Sequence, residues 1–148
     1  MNFLVVTNAP TFYQNNQYSA YAPYVNEMNV WFSTIDKIGV ISPDSYPEKV
    51  FVKEFERQDL RFYKLPFLQF NKVLKIITAL IFSLYFIIVF IRAFIWADLI
   101  RLRCPGNIGL IGCVLQIFFA KKPKPVKYAG TWDPKAKQPC RYNLQKSI

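Results

Sequence analysis

The side chains that could perform chemistry are few in this chain of 148 residues. No histidine occurs, which removes His-ligated haem, histidine zinc sites and the usual general base. The three cysteines, Cys104, Cys113 and Cys140, contain no CxxC pair and are too few for an iron–sulfur cluster. We interpret them as reduced thiols that act as small apolar residues, with one disulfide between two of them as the alternative. The sequence therefore predicts no metal and no cofactor.

Two further patterns contain residue types found in catalytic or phosphate-binding sites. Glu54, Glu56 and Asp59 form an acidic cluster, but each has a basic neighbour nearby, which is typical of a solvated surface. The glycines at 106, 109 and 112 repeat every three residues, without the lysine and the preceding strand that a phosphate-binding loop requires. We therefore predict no catalytic residues and a protein that is not an enzyme.

An apolar run over residues 76–97 dominates the chain. It is uncharged from Ile76 to Ile91, and Arg92 alone separates it from five more apolar residues. Twenty-two helical residues extend ~33 Å, enough to cross a hydrocarbon core of ~30 Å. Arg92 falls roughly 8 Å from the far boundary, where its long stem can reach the headgroups. The run predicts one transmembrane helix over about 70–100.

Polar residues recur along one face of this predicted helix. Asn71, Thr78, Tyr85 and Arg92 are spaced by sevens, and Trp96 lies close by. Such a face predicts contact with a neighbouring protein, and Arg92 could pair there with a partner carboxylate or an anionic lipid phosphate. The alternative is that the Arg92 side chain only extends to the lipid headgroups and that the seven-residue spacing arises by chance.

The segments around the run complete the predicted fold, a membrane protein that is mainly α. Ser45 opens a capping-box pattern, and Phe51, Phe55 and Phe62 form one stripe, which predicts an amphipathic helix over about 46–64. A turn at 104–107 precedes a short apolar helix predicted over about 108–120. The predicted segments are an extended N-terminal arm (1–43), the amphipathic helix (44–65), the transmembrane helix (67–103), the turn and short helix (104–120) and a basic extended C-terminal arm (121–148).

Charge is divided unevenly along the chain. Residues 1–71 carry six Lys or Arg against seven Asp or Glu, whereas residues 99–148 carry ten against Asp133 alone. The positive-inside rule then places the C-terminal arm on the matrix or cytoplasmic side. We expect this basic region to dock on an acidic partner protein first and on anionic, cardiolipin-like lipid second, while its sparse aromatics disfavour nucleic acid. The predicted contact residues here are Arg101, Arg103, Lys121, Lys122, Lys124 and Lys127.

These features together suggest a structural role. Small size, one span, no cofactor ligands and irregular arms resemble, at the level of class, the accessory subunits of mitochondrial respiratory complexes or of ATP synthase. The C-terminal arm has too little to bury to fold alone, and we expect other subunits of a multi-subunit complex to order both arms. No basic residue precedes Lys37, so no targeting peptide is predicted. The predicted span would itself direct the chain to its membrane. The predicted function is a non-catalytic accessory subunit of a respiratory complex in the mitochondrial inner membrane. The alternatives are an ATP synthase subunit, a regulatory partner of a channel or transporter, and a two-span pore former.

Overall fold

The structure, a computed structural model, describes residues 1–45, 51–66 and 74–128, with the backbone alone over 74–83. The strands are β1 (Asn2–Val6), β2 (Thr11–Gln14), β3 (Gln17–Tyr21), β4 (Lys37–Pro43), β5 (Val52–Glu54), β6 (Leu60–Leu65), β7 (Leu99–Cys104) and β8 (Val126–Tyr128). The helices are α1 (Ala22–Phe32), α2 (Leu74–Trp96) and α3 (Asn107–Leu115), the last continued by a 3₁₀ helix (Gln116–Phe119).

A parallel sheet forms the centre of the described region. Its strands lie in the order β6-β4-β1-β7-β8, and every neighbouring pair is parallel. β1 is apolar after Asn2, and its residues from Phe3 to Val6 are completely buried. A short continuous apolar strand of this kind is typical of a parallel sheet that is covered on both faces. β1 therefore occupies the middle of the sheet.

A smaller antiparallel sheet, in the order β2-β3-β5, lies beside the main one. β2 and β3 form a hairpin whose two-residue loop is Asn15-Asn16, and both loop residues have positive φ, 49° and 66°. Asparagine tolerates this backbone region better than most residues, and such turns match the twist of paired strands. The hairpin leads directly into α1, which has a proline in its first turn.

Two apolar cores separate the described residues into three layers. α1 and the small sheet cover one face of the parallel sheet, where Phe3, Val5 and Tyr24 are buried. α2 and α3 cover the other face, where Leu4, Val6 and the aromatic residues of α2 are buried. The fold is thus mixed α/β, with helices on both faces of a parallel sheet. The predicted fold class, a mainly α membrane protein, is wrong.

The apolar run forms helix α2, but this helix packs on the sheet. Phe86, Phe90, Ala93 and Phe94 are at most 2% exposed against strands and neighbouring helices of the same chain. In the part of the chain that the structure describes, no helix combines the length and the apolar character needed to cross a bilayer. Over residues 84–97, the hydropathy of the run reflects the apolar face that covers the sheet together with a second apolar face that stays exposed. The transmembrane helix predicted over about 70–100 is therefore corrected to a sheet-covering helix.

The amphipathic helix predicted over about 46–64 is also wrong. Its described part forms β5 and β6, and β6 pairs with β4 from Ile38–Leu60 to Pro43–Leu65. The aromatic stripe is not preserved, because Phe51 is 79% exposed while Phe55 is 2% exposed. Pairing with the otherwise open edge of β4 outweighs the local helical pattern. Residues 46–50 lie outside the described residues.

The predicted irregular arms are corrected as well. Residues 1–43 contain four strands and α1. The described start of the C-terminal arm contributes β8, which pairs with β7, and residues 129–148 lie outside the described part. The structure also shows a helix and a 3₁₀ helix over Asn107–Phe119, close to the segment predicted at 108–120. Sequence periodicity missed the strands because each is short and depends on partners that are distant in sequence.

Candidate functional site

The strand order defines where a ligand site is expected. Numbered along the chain, the five strands of the parallel sheet lie in the order 3-2-1-4-5, the order of doubly wound folds of the Rossmann type. The direction of chain progression reverses between β1 and β7. In open α/β sheets, ligands bind outside the carboxyl ends of the strands at this switch point. A ligand is therefore expected beside the residues that follow β1 and β7.

The loops that follow these two strands contact each other directly. Asn8, after β1, accepts a hydrogen bond from the backbone N–H of Ile108 at 3.0 Å through its side-chain oxygen. A Cβ atom on Gly106 would lie 2.5 Å from the Asn8 Cγ, so this close approach requires glycine. Asn8 thus occupies the N-terminus of α3, where a phosphate group binds in many folds of this class. Ligand contacts at this edge must then come from other groups.

A cluster of charged side chains lies next to the switch point, on the face of the sheet covered by α1. Arg101 donates a hydrogen bond to Oε1 of Glu27 at 2.7 Å, and Arg103 donates one to Oε2 at 3.1 Å. The Lys127 Nζ lies 2.8 Å from the same Oε2. We call these four residues the Glu27 cluster. Three cations surround one carboxylate, which leaves a surplus of two positive charges.

Strand and helix geometry explain how these side chains meet. Arg101 and Arg103 are two residues apart in β7, so both point to the α1 face of the sheet. Lys127 is the register partner of Arg103 in β8. Glu27 projects from the middle of α1 between the two arginines. The cluster is therefore held by three elements of regular structure.

Two aromatic residues of α1 flank Glu27 and stack on the arginines. The Cζ atom of Arg103 lies 5.0 Å from the Tyr24 ring centre, and that of Arg101 lies 4.3 Å from the Trp31 ring centre. Both distances fall in the range of cation–π attraction. Residues 24, 27 and 31 share one face of the helix, because they are spaced by three and four. The arginine forks are thus oriented by aromatic faces as well as by Glu27.

The electrostatics of the cluster keep Glu27 ionised. Partial burial of the carboxyl group acts to raise its pKa. The hydrogen bond from Lys127 and the charges of Arg103, Lys127 and Arg101 outweigh burial, and the pKa of Glu27 is lowered below its ordinary value. Exposure increases outward through the cluster, since the side chain of Arg101 is 10% exposed and that of Lys127 is 43% exposed. The cluster is accordingly open to solvent on its β8 side.

A buried hydroxyl group lies beside the cluster. Tyr24 is completely buried, and its hydroxyl has no hydrogen bond of ordinary geometry, although the Thr7 side chain is close enough to influence its ionisation. Burial raises the pKa of Tyr24 well above its ordinary value, so the group is protonated. Thr7 is the residue that follows β1. This hydroxyl therefore lies near the carboxyl end of the central strand.

The cysteines and the acidic residues form no metal centre within the described ranges. Cys104 and Cys113 are free and buried, with their sulfur atoms 3.7 Å apart. The hydrogen bond that Cys104 shares with Cys113, together with burial, raises the pKa of Cys104. Among the residues that the structure describes, no group of three or more Cys, Asp or Glu is placed to hold a metal ion. Cys140 lies outside the described residues.

The structure divides the predicted contact residues among several places. Arg101, Arg103 and Lys127 meet in the Glu27 cluster, which the sequence did not predict. Lys122 donates hydrogen bonds to backbone carbonyls at the end of α2. Lys121 is exposed and Lys124 is half-buried. The basic region is thus not one continuous surface.

The predicted contact residues on α2 do not share a single environment. The Trp96 ring packs over β4, where a Cβ atom on Gly39 would lie 2.6 Å from it. Tyr85 is 47% exposed, and its hydroxyl lies 3.4 Å from the Lys64 carbonyl oxygen. Arg92 is exposed, and the side chain of Thr78 lies outside the described part. Their predicted contact with partners or lipid remains a prediction.

Sequence reasoning missed Glu27 and Tyr24, the two residues that organise the cluster. A signal was present, because Tyr24, Glu27 and Trp31 follow Pro23 at helical spacing and mark one face of a short helix. Alternating arginines in Leu99–Cys104 similarly mark one face of a strand. Glu27 and Arg101 lie 74 residues apart, so neither pattern identifies the other without the fold.

Comparisons of this chain with protein-family models, with curated proteins and with solved structures found no match.

Proposed function

We propose that this chain binds a small phosphate-bearing molecule at the carboxyl edge of its parallel sheet, beside β1, β7 and β8. The observation that carries the proposal is the surplus of positive charge in the Glu27 cluster, next to the switch point of a doubly wound sheet. Parallel sheets with this strand order bind nucleotides and related ligands at that position.

Three positive charges held close together favour the binding of an anionic ligand. Arg101, Arg103 and Lys127 all reach the same carboxylate, and like charges held close together repel one another. An anion placed among them would relieve this repulsion. Arg103 is 25% exposed and Lys127 is 43% exposed, so both retain donors that face solvent. The planar guanidinium group suits bidentate contact with phosphate oxygens.

The way in which the phosphate would be held differs from that of a dinucleotide-binding domain. The segment after β1 is Thr7-Asn8-Ala9-Pro10, which lacks the glycine fingerprint of such domains. A β-hairpin rather than a helix follows it. The N-terminus of α3 is occupied by Asn8. Side-chain cations, rather than a glycine loop and a helix N-terminus, would therefore contact the phosphate.

Calorimetry with defined phosphates tests this proposal. The full chain is titrated with inorganic phosphate, pyrophosphate and a nucleoside diphosphate, and Arg103→Gln is compared with Arg61→Gln. Arg61 is a matched control, because its Cζ also lies over aromatic rings, at 5.2 Å and 5.3 Å, on a strand at the opposite edge of the sheet. We expect Arg103→Gln to weaken binding about tenfold or more, since it removes charge-assisted contacts. Equal affinity of both variants, or no binding of any phosphate, would contradict the proposal.

The accessory-subunit prediction, with its mitochondrial location and its non-catalytic role, remains a prediction. It relied on one membrane-spanning helix, and the structure packs that helix on a sheet instead. Fixed-stoichiometry co-purification with a respiratory complex would support it. The phosphate-binding proposal has direct structural support in the contacts of the Glu27 cluster.

A further inference from the structure

One side of α2 exposes large apolar side chains. Leu84, Ile88, Ile91 and Ile95 are between 38% and 65% exposed. Their spacing of four, three and four residues places them on a single helical stripe. This stripe lies opposite Phe86, Phe90 and Ala93, which face the sheet. Scattered exposed apolar residues are ordinary, but a contiguous stripe indicates an interaction surface.

The exposed stripe is joined by a second apolar set from α3 and the 3₁₀ helix. Val114, Ile117 and Phe118 are 44%, 63% and 79% exposed. The Phe94 and Phe119 rings, with centres 5.4 Å apart, hold this segment against α2. We call the two sets together the apolar face. It lies on the α2 side of the parallel sheet, away from the Glu27 cluster.

The charged side chains beside the apolar face are mostly basic. Arg92 and Lys121 are exposed beside it, and Lys124 is half-buried. Within the described residues 84–128, Asp98 is the one acidic residue. Its carboxylate accepts a hydrogen bond from the Asn2 backbone N–H at 2.7 Å, at the start of β1. The apolar face is therefore bordered by positive charge.

We propose that the apolar face docks on the surface of an anionic lipid bilayer. Exposed aliphatic and aromatic side chains enter the boundary between headgroups and acyl chains, while Arg92 and Lys121 contact lipid phosphates. The complementarity of a cationic, apolar surface with an anionic, apolar partner selects the bilayer over a protein. The helix lies along the surface and does not cross it. This docking is independent of the phosphate site, because the two use opposite faces of the sheet.

Vesicle co-sedimentation of the full chain tests this docking. Vesicles of phosphatidylcholine alone are compared with vesicles that also contain phosphatidylglycerol. Phe118→Ser is matched by Phe51→Ser, since both phenylalanines are 79% exposed and Phe51 lies beside the small sheet. We expect binding to the anionic vesicles, a loss with Phe118→Ser and no loss with Phe51→Ser.

A second pair of variants tests the charges. Arg92→Gln combined with Lys121→Gln is compared with Lys37→Gln combined with Lys53→Gln, which removes the same charge elsewhere. Each basic residue near an anionic surface contributes about fivefold to the partition coefficient, so the first pair is expected to reduce it about tenfold or more. Circular dichroism checks that both double variants and both phenylalanine variants are folded.

Three outcomes would overturn the proposal. Equal binding to neutral and anionic vesicles would remove the role of charge. Vesicle binding that survives Phe118→Ser would place the contact on another basic segment. Self-association lost with Phe118→Ser, without vesicle binding, would make a second copy of the chain the occupant. Arg103→Gln affects only the phosphate site and is expected to leave vesicle binding and self-association unchanged. Failure of one proposal therefore does not contradict the other.

Discussion

The side-chain oxygen of Asn8 accepts a hydrogen bond from the Ile108 backbone N–H at 3.0 Å, although the two residues lie 100 positions apart. This bond joins the loop after β1 to the first turn of α3. The first N–H groups of a helix lack partners within the helix, and Asn8 satisfies one of them from a distant segment. The contact therefore fixes the relative position of the two loops at the switch point.

Asn8→Ala is expected to lower the free energy of unfolding by about 1 kcal/mol, the usual effect of losing a side-chain cap. Asn8→Asp keeps the acceptor oxygen and places a negative charge at the helix N-terminus, so it is expected to retain most of the stability. Urea denaturation of the three proteins, followed by circular dichroism, measures the difference. Equal destabilisation by both variants would show that the hydrogen bond is not the source of the effect.

Gly106→Ala is expected to destabilise the fold by about 1–3 kcal/mol, because the added methyl group has no space. The new Cβ would lie 2.5 Å from the Asn8 Cγ and 2.6 Å from its Nδ2. Removing the Asn8 side chain makes that space. The double variant Asn8→Ala with Gly106→Ala should therefore be less destabilised than the sum of the two single variants. Strict additivity in urea denaturation would argue against the close packing of these loops.

Stability is expected to depend on pH through Glu27. Its folded-state pKa is lowered below the ordinary value of 4.5, so its ionised form stabilises the fold. That contribution is complete above the unfolded-state pKa and is lost as pH falls through the folded-state pKa. The difference in stability between the wild type and Glu27→Gln should therefore be largest above pH ~5 and should shrink in more acidic solution. Unfolding measured at several pH values in both proteins checks the sign, and a difference that grows on acidification would contradict it.

The sequence predicts the location of one long apolar element but not its environment. Phe86, Phe90 and Phe94 recur every four residues and are all buried on the sheet, yet Ile88, Ile91 and Ile95 make the opposite side apolar too. A helix that is apolar on all sides resembles a membrane span by composition alone. The α2 helix covers a sheet whose strands are drawn from both ends of the described chain. Hydropathy within one window contains no information on those partners.

The sequence predicts some residues of the candidate site from their type alone. The charge of Arg101, Arg103 and Lys127 predicts contact with a partner or lipid. Their convergence on Glu27 depends on the register of β7 with β8 and on the packing of α1, neither of which is encoded locally. The helix predicted over about 46–64 includes most of the strand Leu60–Leu65, whose pairing with β4 is likewise a contact between segments distant in sequence. Contacts between segments remote in sequence account for both failures.

Lys122 is expected to stabilise the C-terminal end of α2. Its Nζ donates hydrogen bonds to the carbonyl oxygens of Phe94 at 2.7 Å, Ile95 at 3.0 Å and Ala97 at 2.6 Å. A cation in this position also interacts favourably with the negative end of the helix dipole. Lys122→Met keeps the length of the side chain and removes the donors, so it should lower the free energy of unfolding by about 1 kcal/mol. Lys124→Met removes the same charge two residues away and is expected to change stability by less than about 0.5 kcal/mol. If urea denaturation gave the two variants the same stability, general charge rather than capping of α2 would be responsible.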